Sequence, residues 1–162
     1  MLPTDFTDPH GNVIQFPTDA GLEWRVAVYA IIFNDKKELL VTCAKHNDKY
    51  HVPGGGQKIG ESIEEALARE CAEETGYRIT FDSSKPFFVA EKKFAHTSDK
   101  KFYHAIQLFY RAELTSNKPD PSLLHAETDH DAIEKIEWIP LEQLTTENVA
   151  IVSREVIKLL KG

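Results

Sequence analysis

Apolar residues along this chain fall mostly into short, dense runs, and only two stretches carry helical spacing. Trp24–Phe33 (WRVAVYAIIF) and Glu38–Ala44 flank the polar tetrad Asn34-Asp35-Lys36-Lys37, which reads as strand, turn and strand. Tyr50–Val52 extends briefly before Pro53 and three glycines. Tyr77–Phe81 and Phe87–Phe94 read as strands separated by Ser83, Ser84 and Pro86, and Phe102–Leu114 (FYHAIQLFYRAEL) is the longest strand candidate. Ile133–Ile139 follows, and Pro140 opens a helical turn around Leu141–Leu144. Thr146 is expected to cap a final helix, Glu147–Lys161, with Val149, Val152, Val156 and Leu160 on its buried stripe. Residues 1–20, rich in Pro, Asp and Thr, are expected to wrap the surface, with a short strand at Asn12–Phe16.

The other helical stretch, near 63–75, has sharper boundaries and an odd charge distribution. Ser62 and Glu65 form a capping box, and Gly76 supplies a left-handed stop. Ile63, Ala66, Leu67 and Cys71 make the apolar stripe. On a wheel of about 100° per residue, Glu70 and Glu74 fall within roughly 20° of Ile63, and Glu73 about 80° away. Three carboxylates thus continue the stripe that should face the protein body, whereas Glu64 and Glu65 point to solvent. The three repel one another at i,i+3 and i,i+4 spacing, and they sit at the negative end of the helix dipole. Two carboxylates ~6 Å apart at an effective dielectric of ~20 oppose each other by roughly 3 kcal/mol. Arg69 can relieve part of this through Glu73. Hard divalent cations with oxygen ligands, Mg²⁺ or Mn²⁺, are the natural compensation.

Reading outward gives Gly55, five residues, Glu61, seven residues, Arg69-Glu70, then Cys71, Ala72, Glu73-Glu74, Thr75, Gly76 and Tyr77. Residues 55–77 therefore resemble the Nudix box, GX5EX7REUXEEXGU with U a bulky apolar residue. All seven specified positions match, a coincidence expected on the order of once in 10⁸ windows at average residue usage. Cys71 and Tyr77 replace the more usual aliphatic residues. The resemblance implies an α/β fold, an αβα sandwich with a central mixed sheet. It also implies hydrolysis of a nucleoside diphosphate linked to another moiety, with Mg²⁺ or Mn²⁺ as cofactor. By the family's pattern Glu70 and Glu74 bind the metal most directly, Glu73 assists, and the backbone carbonyl of Gly54 is a further ligand. Glu61 supports the site and Arg69 orients the glutamates. Either Glu70 or a carboxylate of the loop 125–134 is the general base; the loop offers Glu127, Asp129, Asp131 and Glu134, with Asp131 favoured.

The remaining composition narrows the setting. The 162 residues form one expected domain, 1–162, with 28% charged residues and a net charge of −7. Without a Lys/Arg cluster, a duplex nucleic-acid binder is disfavoured. An acidic enzyme can still take an anionic nucleotide if a metal carries the positive charge. Cys43 and Cys71 make no disulfide scaffold, and no signal peptide or 18-residue apolar run occurs, so a cytoplasmic monomer or homodimer without a membrane partner is expected. His96, His104, His125 and His130 are too dispersed for a zinc site. Trp24, Arg25 and Tyr50 flank the expected cleft as candidates for base stacking or phosphate contact. Residues 90–94 (AEKKF) lack the proline of many ADP-ribose hydrolases, and neither the tyrosine of dinucleoside polyphosphate hydrolases nor a coenzyme-A-type pattern is evident. Nucleoside triphosphate pyrophosphohydrolysis is left as the default. ADP-ribose, dinucleoside polyphosphate and nucleotide-sugar hydrolases, and a Nudix-fold sensor without turnover, are the alternatives.

Overall fold

The computed structural model describes residues 6–8, 11–15, 21–45, 48–96, 101–127 and 132–162. Its elements, in chain order, are β1 (Phe6–Thr7), β2 (Val13–Ile14), β3 (Leu22–Ile31), β4 (Glu38–Ala44), β5 (Tyr50–His51), β6 (Gly54–Gly56), α1 (Ile63–Thr75), β7 (Ile79–Phe81), β8 (Phe88–His96), β9 (Lys101–Leu114), β10 (Ile133–Pro140) and α2 (Ile151–Lys161). The larger sheet runs β2-β1-β8-β9-β3-β6, with β7 pairing the far end of β9; the smaller runs β10-β4-β5. The larger sheet is mixed: β3 lies parallel to β9 and β1 parallel to β8, while β8 runs antiparallel to β9 and β6 antiparallel to β3.

Side-chain alternation along β3 places a helix on each side of it. Ala27, Tyr29 and Ile31 join a buried cluster with Ala90, Phe109, Val156 and Ile157, the last two from α2. Val28, Ala30 and Ile32 join another with Ala66, Leu67 and Cys71 from α1, and with Tyr110. This is the αβα sandwich that the resemblance implied. Among the described residues no helix is long and apolar enough to cross a membrane.

Several boundaries differ from the expected ones. The glycine run, which the apolar pattern assigns to no element, is a strand: β6 pairs with β3, Gly56 opposite Ala27 and Gly54 opposite Tyr29. The strand expected from Tyr77 begins at Ile79, because Tyr77 is buried and packs edge-on to Trp138. The short strand expected at 12–16 is Val13–Ile14, and Phe16 lies outside the described residues. The final helix begins at Ile151, and Thr146 does not cap it; Ala150 stands at the N-cap with no side-chain hydrogen bond. Asn148 takes over the preceding turn by accepting from the Thr145 amide at 2.7 Å and donating to the Gln143 carbonyl at 2.8 Å. Val149 is buried as expected, but through a bridge to Tyr50 rather than from the helix.

The first helix ends as the sequence predicts. Ser62 and Glu65 exchange both hydrogen bonds of the capping box, at 3.2 and 2.7 Å. Gly76 sits at φ 73° and its amide donates to the Ala72 carbonyl. A Cβ there would lie 2.9 Å from the Asp120 carbonyl oxygen. Gly76→Ala should therefore cost at least about 1–2 kcal/mol, the left-handed penalty plus displacement of that backbone. Denaturant unfolding checks it; an unchanged midpoint would show that the helix end relaxes freely.

Candidate active site

The site forms where α1 meets the edge strand β6, and the edge is built from glycine because two approaches are close. A Cβ at Gly55 would lie 2.7 Å from the Glu70 carboxylate, and one at Gly56 would lie 2.6 Å from the Arg25 guanidinium. Ladder bonds from Ala30 to the Pro53 carbonyl and from Gln57 to the Val26 carbonyl fix the antiparallel alternation. Gly54 and Gly56 then turn their N–H and C=O groups away from β3, toward the helix. The Gly54 amide donates to Glu74 Oε2 at 3.0 Å, and the Gly56 carbonyl accepts from Arg69 at 3.1 Å. The Gly54 carbonyl lies in that same outward row.

Arg69 is the hub. Its guanidinium donates to Glu61 Oε1 and Oε2 at 2.6 and 3.0 Å, to Glu70 Oε1 at 2.9 Å and to Glu73 Oε2 at 3.2 Å. The Arg69 side chain is 19% exposed and that of Glu70 16%, so these contacts are shielded from bulk water. Their electrostatic consequences differ. Hydrogen bonds from Arg69 hold the Glu61 carboxyl down at about 2, whereas burial raises Glu70 above the usual carboxylate range, against the opposing pull of Arg69. The neighbouring carboxylates in turn raise the proton affinity of Arg69. One guanidinium therefore serves several acids but leaves Glu70 under-compensated.

The donor set fits a hard divalent cation in kind: carboxylate oxygens and an outward-facing backbone carbonyl, partly desolvated and short of positive charge. Its side chains are fanned around Arg69, and among the described residues no three His, Cys, Asp or Glu groups already converge on one point. Rotations about the flexible glutamate side chains separate this arrangement from a ligand shell.

The remaining candidates are dispersed. Arg25 is half-buried, close to Gly56, with its guanidinium 5.5 Å from the Tyr103 ring centre. Trp24, its neighbour, faces the opposite side of the sheet, 73% exposed and stacked on His104 at 4.1 Å. Tyr50 lies in the smaller sheet, where its hydroxyl donates to Glu137 Oε2 at 2.6 Å. Asp131, like Asp129, falls outside the described residues. The start of their loop does reach the site: the His125 amide donates to the Glu73 carbonyl at 3.0 Å, and Glu127 pairs with Lys58 at 2.5 Å. Glu134 is exposed on β10. Two buried residues not anticipated from sequence, Tyr29 and Gln107, lie on the neighbouring strands β3 and β9; burial raises the Tyr29 hydroxyl pKa against the opposing charge of Arg25.

A family model for the NUDIX domain matches residues 23–160. The chain belongs to the Nudix hydrolase family. Nudix hydrolase 2 of Arabidopsis thaliana is 30% identical over 129 residues, a match covering 76% of this chain and 42% of that protein. Nucleoside triphosphatase NudI of Enterobacter sp. (strain 638) is 29% identical over 130 residues, 75% of this chain and 86% of that protein. Among solved structures, the MutT protein from Methanosarcina mazei Go1 superposes with a TM-score of 0.61 at 24% identity, covering 90% of this chain and 96% of that one. The chain thus spans under half the length of the Arabidopsis relative, as it does of a Bacillus subtilis (strain 168) protein matched over 37% of its length.

The opposed shifts of Glu61 and Glu70 give a signed prediction. A raised carboxyl pKa means that the folded state disfavours the ion, so the Glu70 contribution worsens as pH climbs from the ordinary glutamate range through Glu70's own pKa. Glu70→Gln should raise Tm at neutral pH in metal-free buffer, and the gain should fade as the pH falls into the range where unfolded glutamate protonates. Glu61→Gln should do the reverse: it removes stability that is present above the unfolded pKa and lost only as pH falls toward about 2. Thermal melts of both variants between pH 3 and 8 check the pair, and equal signs for the two would refute it.

Proposed function

We propose that this chain is a Mg²⁺- or Mn²⁺-dependent phosphoanhydride hydrolase that cleaves a nucleoside triphosphate to the monophosphate and pyrophosphate. The observation that carries the reading is the desolvated Glu70 carboxylate, set against a side-chain-free glycine backbone and only partly neutralised by Arg69. Such a group is stabilised by a bound cation and stands beside backbone that a phosphate can approach closely. Glu70, Glu73, Glu74 and the Gly54 carbonyl would hold the ion; Arg69, braced by Glu61, sets the direction of the carboxylates. When bound, the ion supplies charge neutralisation on the phosphoryl oxygens and acidifies water.

The chain's own groups do the rest. Arg25, beside Gly56, offers a guanidinium to the non-bridging oxygens of an incoming nucleotide. Glu70 is the first candidate to accept the proton of the attacking water, because desolvation raises its proton affinity. Asp131 is the second, by its place in the sequence a few residues after His125, whose amide donates to the Glu73 carbonyl, and Glu127, which pairs with Lys58. The triphosphate is preferred as substrate because a relative named a nucleoside triphosphatase aligns over 86% of its length.

Incubation with a panel of ribo- and deoxynucleoside triphosphates, ADP-ribose, a dinucleoside polyphosphate and a nucleotide sugar, each with Mg²⁺, tests the reading by product chromatography. Monophosphate and pyrophosphate from triphosphates are expected. Glu70→Gln and Glu74→Gln should each lower turnover by about 100-fold or more, since losing outer-shell partners alone costs about 10–100-fold in metal sites. Selective nucleotide binding with no cleavage of any panel member would leave a sensor in place of an enzyme.

A further inference from the structure

We infer that the exposed face of the Trp24 indole is the surface on which the substrate's base stacks, which makes Trp24 a specificity-determining residue. The inference rests on the nucleotide reading above but uses residues outside the box. On the α1 side of the sheet the register lines up three rows: Gly55 with Val28, Val26 with Ile106, and Trp24 with His104. The first row adjoins the glutamates, since a Cβ at Gly55 would lie 2.7 Å from the Glu70 carboxylate. Val28 is buried in the cluster that includes α1, but the cover ends there: Val26 is 37% exposed and Trp24 73%. Trp24 therefore shares the face of Glu70 while standing clear of the helix. The sheet edge beside it is open as well. β6 stops at Gly56, and the last ladder bond runs from the Gln57 amide to the Val26 carbonyl. Beyond it, among the described residues, no strand pairs with β3 on that side.

Trp24 is also held in place. Its ring lies on His104, with centroids 4.1 Å apart and planes 18° from parallel, and His104 Nε2 is in hydrogen-bond contact with Glu91 Oε1 of β8. His104 covers one face of the indole, so the exposure belongs to the other face and the ring edge. A large aromatic surface fixed from behind and left to water suits a flat partner, whose binding then requires little further ordering of the protein. Four residues of strand, about 13 Å, separate Val28 from Trp24. An extended nucleoside triphosphate covers that span from its phosphates to its base. A triphosphate anchored at Glu70 would thus carry its base past Val26 and Ile106 to the uncovered indole face. Stacking on an aromatic ring accepts every base but ranks them by stacking strength, so purines are favoured over pyrimidines.

The test uses α,β-methylene triphosphates of the four bases, which resist cleavage at the α–β bond, and methylenediphosphonate as the ligand without a base. Binding with Mg²⁺ is measured by calorimetry for wild type, Trp24→Ala and Trp24→Phe, with tryptophan emission and Tm recorded for each. Wild type is expected to bind the purine analogues more tightly than the pyrimidine ones and to lose emission on binding. Trp24→Ala should weaken the purine analogues by about 5- to 150-fold and leave methylenediphosphonate where it was. Trp24→Phe keeps an aromatic ring, so it should retain most of the affinity and lose the emission change. The inference is overturned by unaltered analogue affinity in Trp24→Ala, by no binding or no emission change in wild type, or by an equal weakening of methylenediphosphonate with a lower Tm, the signature of a structural role. A wild-type dimer that Trp24→Ala dissociates without altering analogue affinity would also overturn it and assign the indole to a protein contact. Triphosphate cleavage with an unmoved KM in Trp24→Ala would keep the hydrolase reading and remove this one; Trp24-dependent binding without cleavage would do the opposite.

Discussion

The site depends on how much negative charge one guanidinium can hold in a place that water scarcely reaches. Arg69 contacts Glu61, Glu70 and Glu73 and also the Gly56 carbonyl, so helix, edge strand and the turn between them share one donor. The allocation is uneven. Glu61 receives two of the hydrogen bonds and a backbone donor from Lys58, and it is strongly stabilised as an anion. Glu70 receives one and remains desolvated. That imbalance separates two kinds of carboxylate: Glu61 fixes where Arg69 points, and Glu70 retains a demand for positive charge that Arg69 does not meet.

The edge strand is shaped by the same demand. Gly55 lets Glu70 approach from the α1 side of the sheet, and Gly56 lets Arg25 approach from the α2 side. An alanine at either place would meet the charged group at under 3 Å. The strand is thus thin enough for a carboxylate and a guanidinium to flank it. Arg25 accordingly lowers the proton affinity of Glu70 from the far side of the backbone. The edge thus has an acidic flank and a basic flank, without side chains standing between them.

What the sequence disclosed and what it hid divide along physical lines. The helix, both its caps and the inward set of its glutamates were legible because i,i+3 and i,i+4 spacing is local geometry, and Ser62, Glu65 and Gly76 act within one turn. The strand character of Gly54–Gly56 was not, since glycine has no strand preference and only the facing Ala27–Tyr29 segment makes the run a strand. The start of α2 was misread because Thr146 resembles a cap, whereas the Asn148 side chain closes a turn and Val149 pairs with Tyr50, 99 positions away. Trp24 and Arg25 were both expected to flank the cleft, although period-two alternation sends them to opposite faces; their positions in β3 already implied this. Gln107 gave no local signal at all. Its meaning depends on the β3–β9 and β8–β9 registers, which place alanines on either side of it.

A contiguous box is therefore easier to read from sequence than the groups that would choose a substrate. Every group that touches Arg69 lies within residues 56–73, inside one contiguous stretch whose spacing is readable by eye. The sheet beside the box is assembled instead from β6, β3, β9 and β8, with neighbours drawn from distant parts of the chain. Arg25 and Gln107 stand in that sheet outside the box, and their neighbours are set by strand register, with Ala105 beside Arg25 and Ala27 and Ala90 beside Gln107. Register is a long-range property of strand pairing, which is why such positions leave so faint a trace in the linear sequence.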